Sequence, residues 1–248
     1  MINKIILTVS LLTLLTPGLV VSFNSNAINY NTVPNLSANV SNPSRYFANT
    51  AAAVSAINAA RLQDSSVKNK AFALPTNFND LSVSELTFWY LNNERSSRGL
   101  LPMGNMSNRI NTLARTYAVS LADAGAFTHT LNGTTPWSRM DSDIALKNCR
   151  EFNPRMESLY KFSSMGLNIS DNLKVLHGIY TFLYNDASSS WGHREHMLVN
   201  YNNNFGSVAN EGFIGAGLSN KLRLGWSETY FVIETLDPKD TCTLNLVN

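Results

Sequence analysis

The sequence is sparing with the residues that usually announce chemistry. Two cysteines and four histidines are all it holds in 248 residues, which excludes a Cys-rich zinc module and a multi-bridge miniprotein scaffold. Any metal would have to be held by His and carboxylates. Charge is scarce too: only 15% of residues are charged, and 19 Lys+Arg nearly cancel 17 Asp+Glu. A formal charge of +2 provides no strong field for a phosphate backbone, so nucleic acid is not the expected partner. No Gly-x-Ser-x-Gly elbow, phosphate-binding glycine loop, dinucleotide fingerprint or internal repeat occurs, and those enzyme classes have no positive signal. Apolar residues, in contrast, make up 44%, enough to bury a core in one domain or at most two.

The first 27 residues read as a secretory signal peptide. Met1–Lys4 is a short basic start, Ile5–Val21 an uncharged and mostly apolar run, and Ser25-Asn26-Ala27 a small-residue cleavage site. The competing reading is a retained anchor, because Ile5–Phe23 nearly reaches the ~20 apolar residues of a spanning helix. Pro17, Gly18 and the Thr/Ser content weigh against it, so a secreted or periplasmic protein without a stable membrane span is expected. Outside the cytoplasm Cys149 and Cys242 could close one bridge. A catalytic thiol is the sharper alternative, but neither Cys has a neighbouring His in sequence.

Residues 28–81 form an Asn/Ser-rich leader. Its first part, to about Arg45, carries no acid and no hydrophobic period, whereas Ala51–Leu62 suggests an Ala-rich amphipathic helix, with Val54, Ile57 and Leu62 as its larger apolar residues. Residues 82–240 form the main domain and 241–248 a tail. The domain opens on Ser82-Val83-Ser84-Glu85, a capping box that predicts a helix ending near Gly99. Ile110, Leu113, Ala114, Tyr117 and Leu121 predict a second helix, stopping near Gly125. Leu173, Leu176, His177, Tyr180, Leu183 and Tyr184 predict a third, capped by Ser170 or Asp171. Trp191–Val199 is expected to add a short helical turn, and Phe213–Leu218 and Trp226–Thr235 read as antiparallel strands. Helices first and strands last indicate an α+β domain with helices on a sheet.

The histidines carry unequal weight. His177 lies on an apolar helical stripe and reads as a hydrogen-bonded core histidine. His129 follows a helix end, and His193 sits in Ser190-Trp191-Gly192-His193-Arg194, positions where rigid scaffolds build sites. His193 and His196 are three apart and could share a helical face, yet a zinc-protease pair is four apart with Glu between. Among the acids, position alone does not separate Glu157 from Glu195 or Glu211.

A set of motifs narrows this. Asn93-Glu94-Arg95 with Gly99-Leu100-Leu101-Pro102, Leu113-Ala114 to Phe127-Thr128-His129, Glu157-Ser158-Leu159, and Gly192-His193-Arg194 with Met197-Leu198 follow one another in an order that resembles the CAP superfamily. These are the SCP-like extracellular proteins related to cysteine-rich secretory proteins, antigen 5 and pathogenesis-related 1 proteins. The resemblance is closest to the bacterial branch and continues through Phe205-Gly206, Gly215-Ala216-Gly217 and Tyr230–Thr235, covering roughly Ser84 to Pro238.

It implies a three-layer α-β-α sandwich with a central antiparallel sheet, and a cleft holding two histidines and two acids. His129, Glu157 and His193 match three of these positions, and Asp186 is the nearest residue to the fourth. Where the family has Gly-Glu-Asn, this chain has Met156-Glu157-Ser158. The implied function is a non-enzymatic exported binder of a lipid, peptide or protein ligand, with His129 and His193 able to take Zn²⁺ weakly. Two imidazoles would bind it at ~2.0–2.1 Å while acids orient the rings. The alternative is a metal-assisted hydrolase of peptidase type, in which a water held by the two histidines is activated with help from Glu157.

Overall fold

Hydroxyl and amide caps start the helices where the sequence places them. In the computed structural model, which describes residues 46–150, 156–166, 168–198, 211–239 and 242, Ser82 and Glu85 form the expected capping box of α2 (Val83–Arg98). Gly99 ends that helix at φ 76°, in the left-handed region glycine tolerates. Ser107 caps α3 (Asn108–Ala124), which ends at Gly125, and Ser170 caps α6 (Asp171–Tyr184). Between them lie α4 (Pro136–Ser142) and α5 (Ile144–Cys149), and α7 (Gly192–Leu198) follows α6. The proposed signal segment, residues 28–45, Pro154-Arg155, Val199, Phe205-Gly206 and most of the tail lie outside the described residues.

Four strands build one sheet in the order β1-β3-β4-β2: β1 (Met103–Met106), β2 (Glu157–Met165), β3 (Glu211–Arg223) and β4 (Trp226–Leu236). The two glycine-punctuated segments are strands as expected and join at Leu224-Gly225, both at positive φ, as a tight hairpin twist requires. The sheet is mixed, because β1 runs parallel to β3 while β3–β4 and β2–β4 are antiparallel. The expected central antiparallel sheet is present in β2, β4 and β3, and β1 adds a parallel edge. β1 reaches β3 through a long excursion containing five helices and β2, not a hairpin, so nothing forces the pair to run antiparallel.

Helices cover both faces. On one, Gly215 and Gly217 let α3 approach so closely that a Cβ on either would collide with helix backbone at Ile110-Asn111 or Ala114-Arg115. On the other, α2 and α6 bury Leu86, Tyr90, Ile179 and Leu183 against Ile214, Phe231 and Ile233. Each fully buried side chain of this kind contributes roughly 1.5–3 kcal/mol relative to exposure.

The leader helix α1 (Thr50–Gln63) packs on this second face. Its buried stripe is Ala53, Ala56, Ile57 and Ala60. Leu62 is 70% exposed, contrary to the expected apolar face, because the adjacent Arg61 turns inward. There Arg61 meets Glu94 at 2.9 Å, Arg98 meets Glu94 at 2.6 Å and Asp64 at 2.8 Å, and Arg194 meets Asp64 at 2.8 Å. Tyr184 donates to Glu94 at 2.6 Å. Cys149 and Cys242 form a disulfide that ties α5 to the end of the chain.

Candidate functional site

Two histidine–carboxylate pairs face one cavity of about 360 Å³, lined by both imidazoles, Glu157 and His196 with Pro136, Trp137, Met156, Ser189 and Gly192. His129 follows the end of α3, where Tyr117 donates to the Thr128 carbonyl at 2.7 Å and holds the approach. Its Nδ1–H donates to Glu157 Oε1 at 2.7 Å. An ionised carboxylate can only accept, so this bond sets the tautomer and leaves Nε2 with its lone pair.

His193 is placed by a different device. Asp186, at the end of the α6 segment, accepts from the His193 and Arg194 backbone N–H groups at 2.9 and 3.1 Å, and from His193 Nδ1 at 2.7 Å. Ser189 Oγ donates to the same carboxylate. Ser190 and Trp191 turn the chain at φ 56° and 64°, an uncommon conformation for bulky residues that brings Gly192-His193 back over Asp186. Phe182 stacks on the His193 ring at 4.8 Å between centroids. Among the described residues, Nε2 of neither His129 nor His193 has a hydrogen-bond partner.

The four residues singled out in sequence thus occupy one place. His129, Glu157 and His193 line the cavity, and Asp186 sits behind His193. His177 is elsewhere, hydrogen-bonded to Tyr160 at 2.5 Å and packed against Phe47. Burial pushes it down to about 4, so it is a neutral core histidine. Glu195, on α7, is not among the cavity residues.

Two contributors, Arg139 and Glu234, were not legible in the sequence, and a third, His196, was marked only by its spacing from His193. Arg139, from α4, donates to Glu157 Oε2 and to the His129 carbonyl at 3.1 Å, with its guanidinium over the Tyr117 ring at 3.3 Å. No local signal marks Arg139, because α4 is too short to show a period. Glu234, opposite Glu157 on the neighbouring strand, reads in sequence as one more strand residue. His196 shares the helix face with His193 and lines the cavity, but its ring is held from both sides, by Ser158 Oγ at Nδ1 and Thr235 Oγ1 at Nε2, each at 2.7 Å. The Ser158 hydroxyl therefore serves His196.

As a metal site the donor set is incomplete. Two imidazoles backed by carboxylates suit the carboxylate–histidine arrangement of zinc proteins. Among the described residues, however, no group of three or more His, Cys, Asp or Glu is placed to hold an ion. Described helices also include none long and apolar enough to cross a membrane.

No family model matches the chain, and no curated protein matches it. Solved structures similar in shape include two of low sequence identity. One is the CAP domain of Enterococcal PrgA, at 14% identity and a TM-score of 0.41, covering 80% of this chain and 84% of that one. The other is an outer surface protein from Borrelia burgdorferi, at 16% identity and a TM-score of 0.36, covering 63% of this chain and 96% of that one.

Proposed function

We propose that this chain is an exported CAP-type protein that binds a ligand in the His129/His193 cavity and does not catalyse its conversion. The observation that carries this reading is the pairing itself: each ring is oriented through Nδ1 by a buried carboxylate, and both rings border one cavity. About 360 Å³ lies within the usual size of a small-molecule site. Pro136, Trp137 and Met156 supply an apolar wall, so the ligand is a small hydrophobic molecule or an apolar side chain of a protein partner, carrying a polar group for the imidazoles.

His129 and His193 would be the residues to hold a divalent ion such as Zn²⁺. With two protein donors such an ion would bind weakly and supply a positive centre for an anionic or carbonyl group of the ligand. Hydrolysis is less well supported by the side chains. Glu157, the carboxylate that would have to activate a water, is instead engaged by His129 and Arg139.

Binding of fatty acids, sterols and a peptide panel, followed by histidine C–H NMR with and without Zn²⁺, tests the reading. The expected result is saturable binding that shifts the His129 and His193 signals and is lost in His129→Ala/His193→Ala. Ligands that bind the double variant as tightly as the wild type would overturn it.

A further inference from the structure

Glu157 is not the only carboxyl in its corner of the fold. Glu157 and Glu234 are direct partners across β2 and β4, so their side chains leave the sheet on the same face, within reach of each other. Glu234 is fully buried. Neither of its oxygens receives a hydrogen bond from the described residues, and the one nearby cation, Arg139, keeps its Nε 3.8 Å away. Arg139 spends Nη2 on Glu157 and Nη1 on the His129 and Thr134 carbonyls.

One guanidinium thus hydrogen-bonds one carboxyl group and only approaches the other, at 3.8 Å. An ionised Glu234 would be a buried anion beside a second anion, with Arg139 beyond hydrogen-bond distance, a state that burial disfavours. A protonated Glu234 has no such cost, and its O–H is a donor for the one neighbour able to accept it. The titratable and charged groups around Glu234 are Glu157 on β2, Arg139 on α4 and Tyr117 on α3.

We propose that Glu234 is a neutral carboxylic acid that donates its proton in a hydrogen bond to Glu157, and so acts as a positioning residue for the carboxylate that orients His129. Burial, followed by the Glu157 charge, raises the Glu234 carboxyl well above the ordinary range, and Arg139 only partly opposes them. Glu157 is then held from three sides, by Arg139, by the Glu234 acid and by its acceptor role toward His129. The arrangement holds whether or not a ligand enters the cavity, and it makes Gln the natural replacement for Glu234, since an amide N–H can stand in for the acid O–H.

Carboxyl ¹³C NMR of the Glu-labelled protein at neutral pH tests this directly. One glutamate should resonate as a protonated acid in the wild type, and that signal should be missing in Glu234→Gln. Linkage supplies a second reading. The unfolded chain ionises Glu234 near pH 4.3, whereas the folded chain keeps the proton, so Glu234→Gln should gain stability over the wild type as pH rises from about 5 to 8. A structural role alone would produce no such pH trend.

A wild-type spectrum with every glutamate ionised at pH 7 would overturn the proposal even if the variants failed to fold. So would a Glu234→Gln protein whose stability deficit shrinks on acidification, since that is the behaviour of a lost ion pair.

Discussion

Asp64 and Arg194 stand 130 residues apart in sequence and meet at 2.8 Å with no solvent access to either side chain. Asp64 follows α1, ahead of the motifs that carry the resemblance. Arg194 follows His193, and the two backbone N–H groups of His193 and Arg194 hold Asp186. A residue just past α1 therefore fastens the peptide segment that aims His193.

Removing that carboxylate leaves Arg194 a buried cation without its carboxylate and Arg98 with Glu94 alone. Breaking a buried pair from one side costs about 3–5 kcal/mol, so Asp64→Ala should lose roughly that in urea unfolding. A fragment beginning at Ser82 should fail to fold cooperatively, although it contains every family motif. An intact, stable fragment would show that the leader only decorates the domain. Burial alone would raise the Asp64 carboxyl, but Arg98 and Arg194 outweigh it and hold it well below the ordinary range. Its contribution is present above the unfolded pKa near 3.8 and is lost as pH falls below that value.

His177 should shape the acid side of the stability curve at higher pH. Burial lowers its folded pKa from 6.5 to about 4, so the unfolded chain takes up the proton first. Stability then falls between those two values as pH drops, by about 3 kcal/mol from this group. Urea midpoints of His177→Gln should show a flatter slope across that interval, whatever its offset in absolute stability. A slope identical to the wild type would mean that His177 charges freely in the fold.

Zn²⁺ titrated by calorimetry should bind weakly to the wild type and undetectably to His129→Ala or His193→Ala. Glu157→Gln and Asp186→Asn keep both rings but remove the charge that orients them, which typically costs 10–100-fold in metal affinity. Equal affinity in all four variants would place any bound ion elsewhere.

The disulfide joins residues 93 apart in sequence, and closing a loop of that length in the unfolded chain corresponds to about 4–5 kcal/mol in the entropic account. Reduction, or Cys149→Ser/Cys242→Ser, should lower the denaturation midpoint accordingly while leaving ligand binding at the cavity intact. Loss of binding without loss of stability would contradict a purely structural bridge.

Local chemistry was legible residue by residue. The Ser82–Glu85 box, the Ser170 cap, the Gly99 and Gly125 stops and the β3–β4 strands follow from interactions within a few positions. So does the reading of His177 as a core residue, from its place on an apolar stripe. By the same reasoning α4 and α5 were invisible, because seven and six residues are too few to show a helical period. β2 was missed for a different reason: Glu157 to Tyr160 are all buried, so no alternation of polar and apolar residues announces a strand.

The sequence by itself settled which groups are available: four imidazoles, two thiols, and helices whose ends are written by their caps. The resemblance in motif order implied that His129, Glu157 and His193 belong together. Only the tertiary structure decided that Arg139 and Glu234 join Glu157, that His196 is tied up by Ser158 and Thr235, and that Asp64 from the leader anchors Arg194. Caps and helical stripes act over three or four residues and leave a local pattern. Strand partnership and buried charge pairing link residues tens to more than a hundred positions apart, and their energy depends on burial that exists only once the chain has closed.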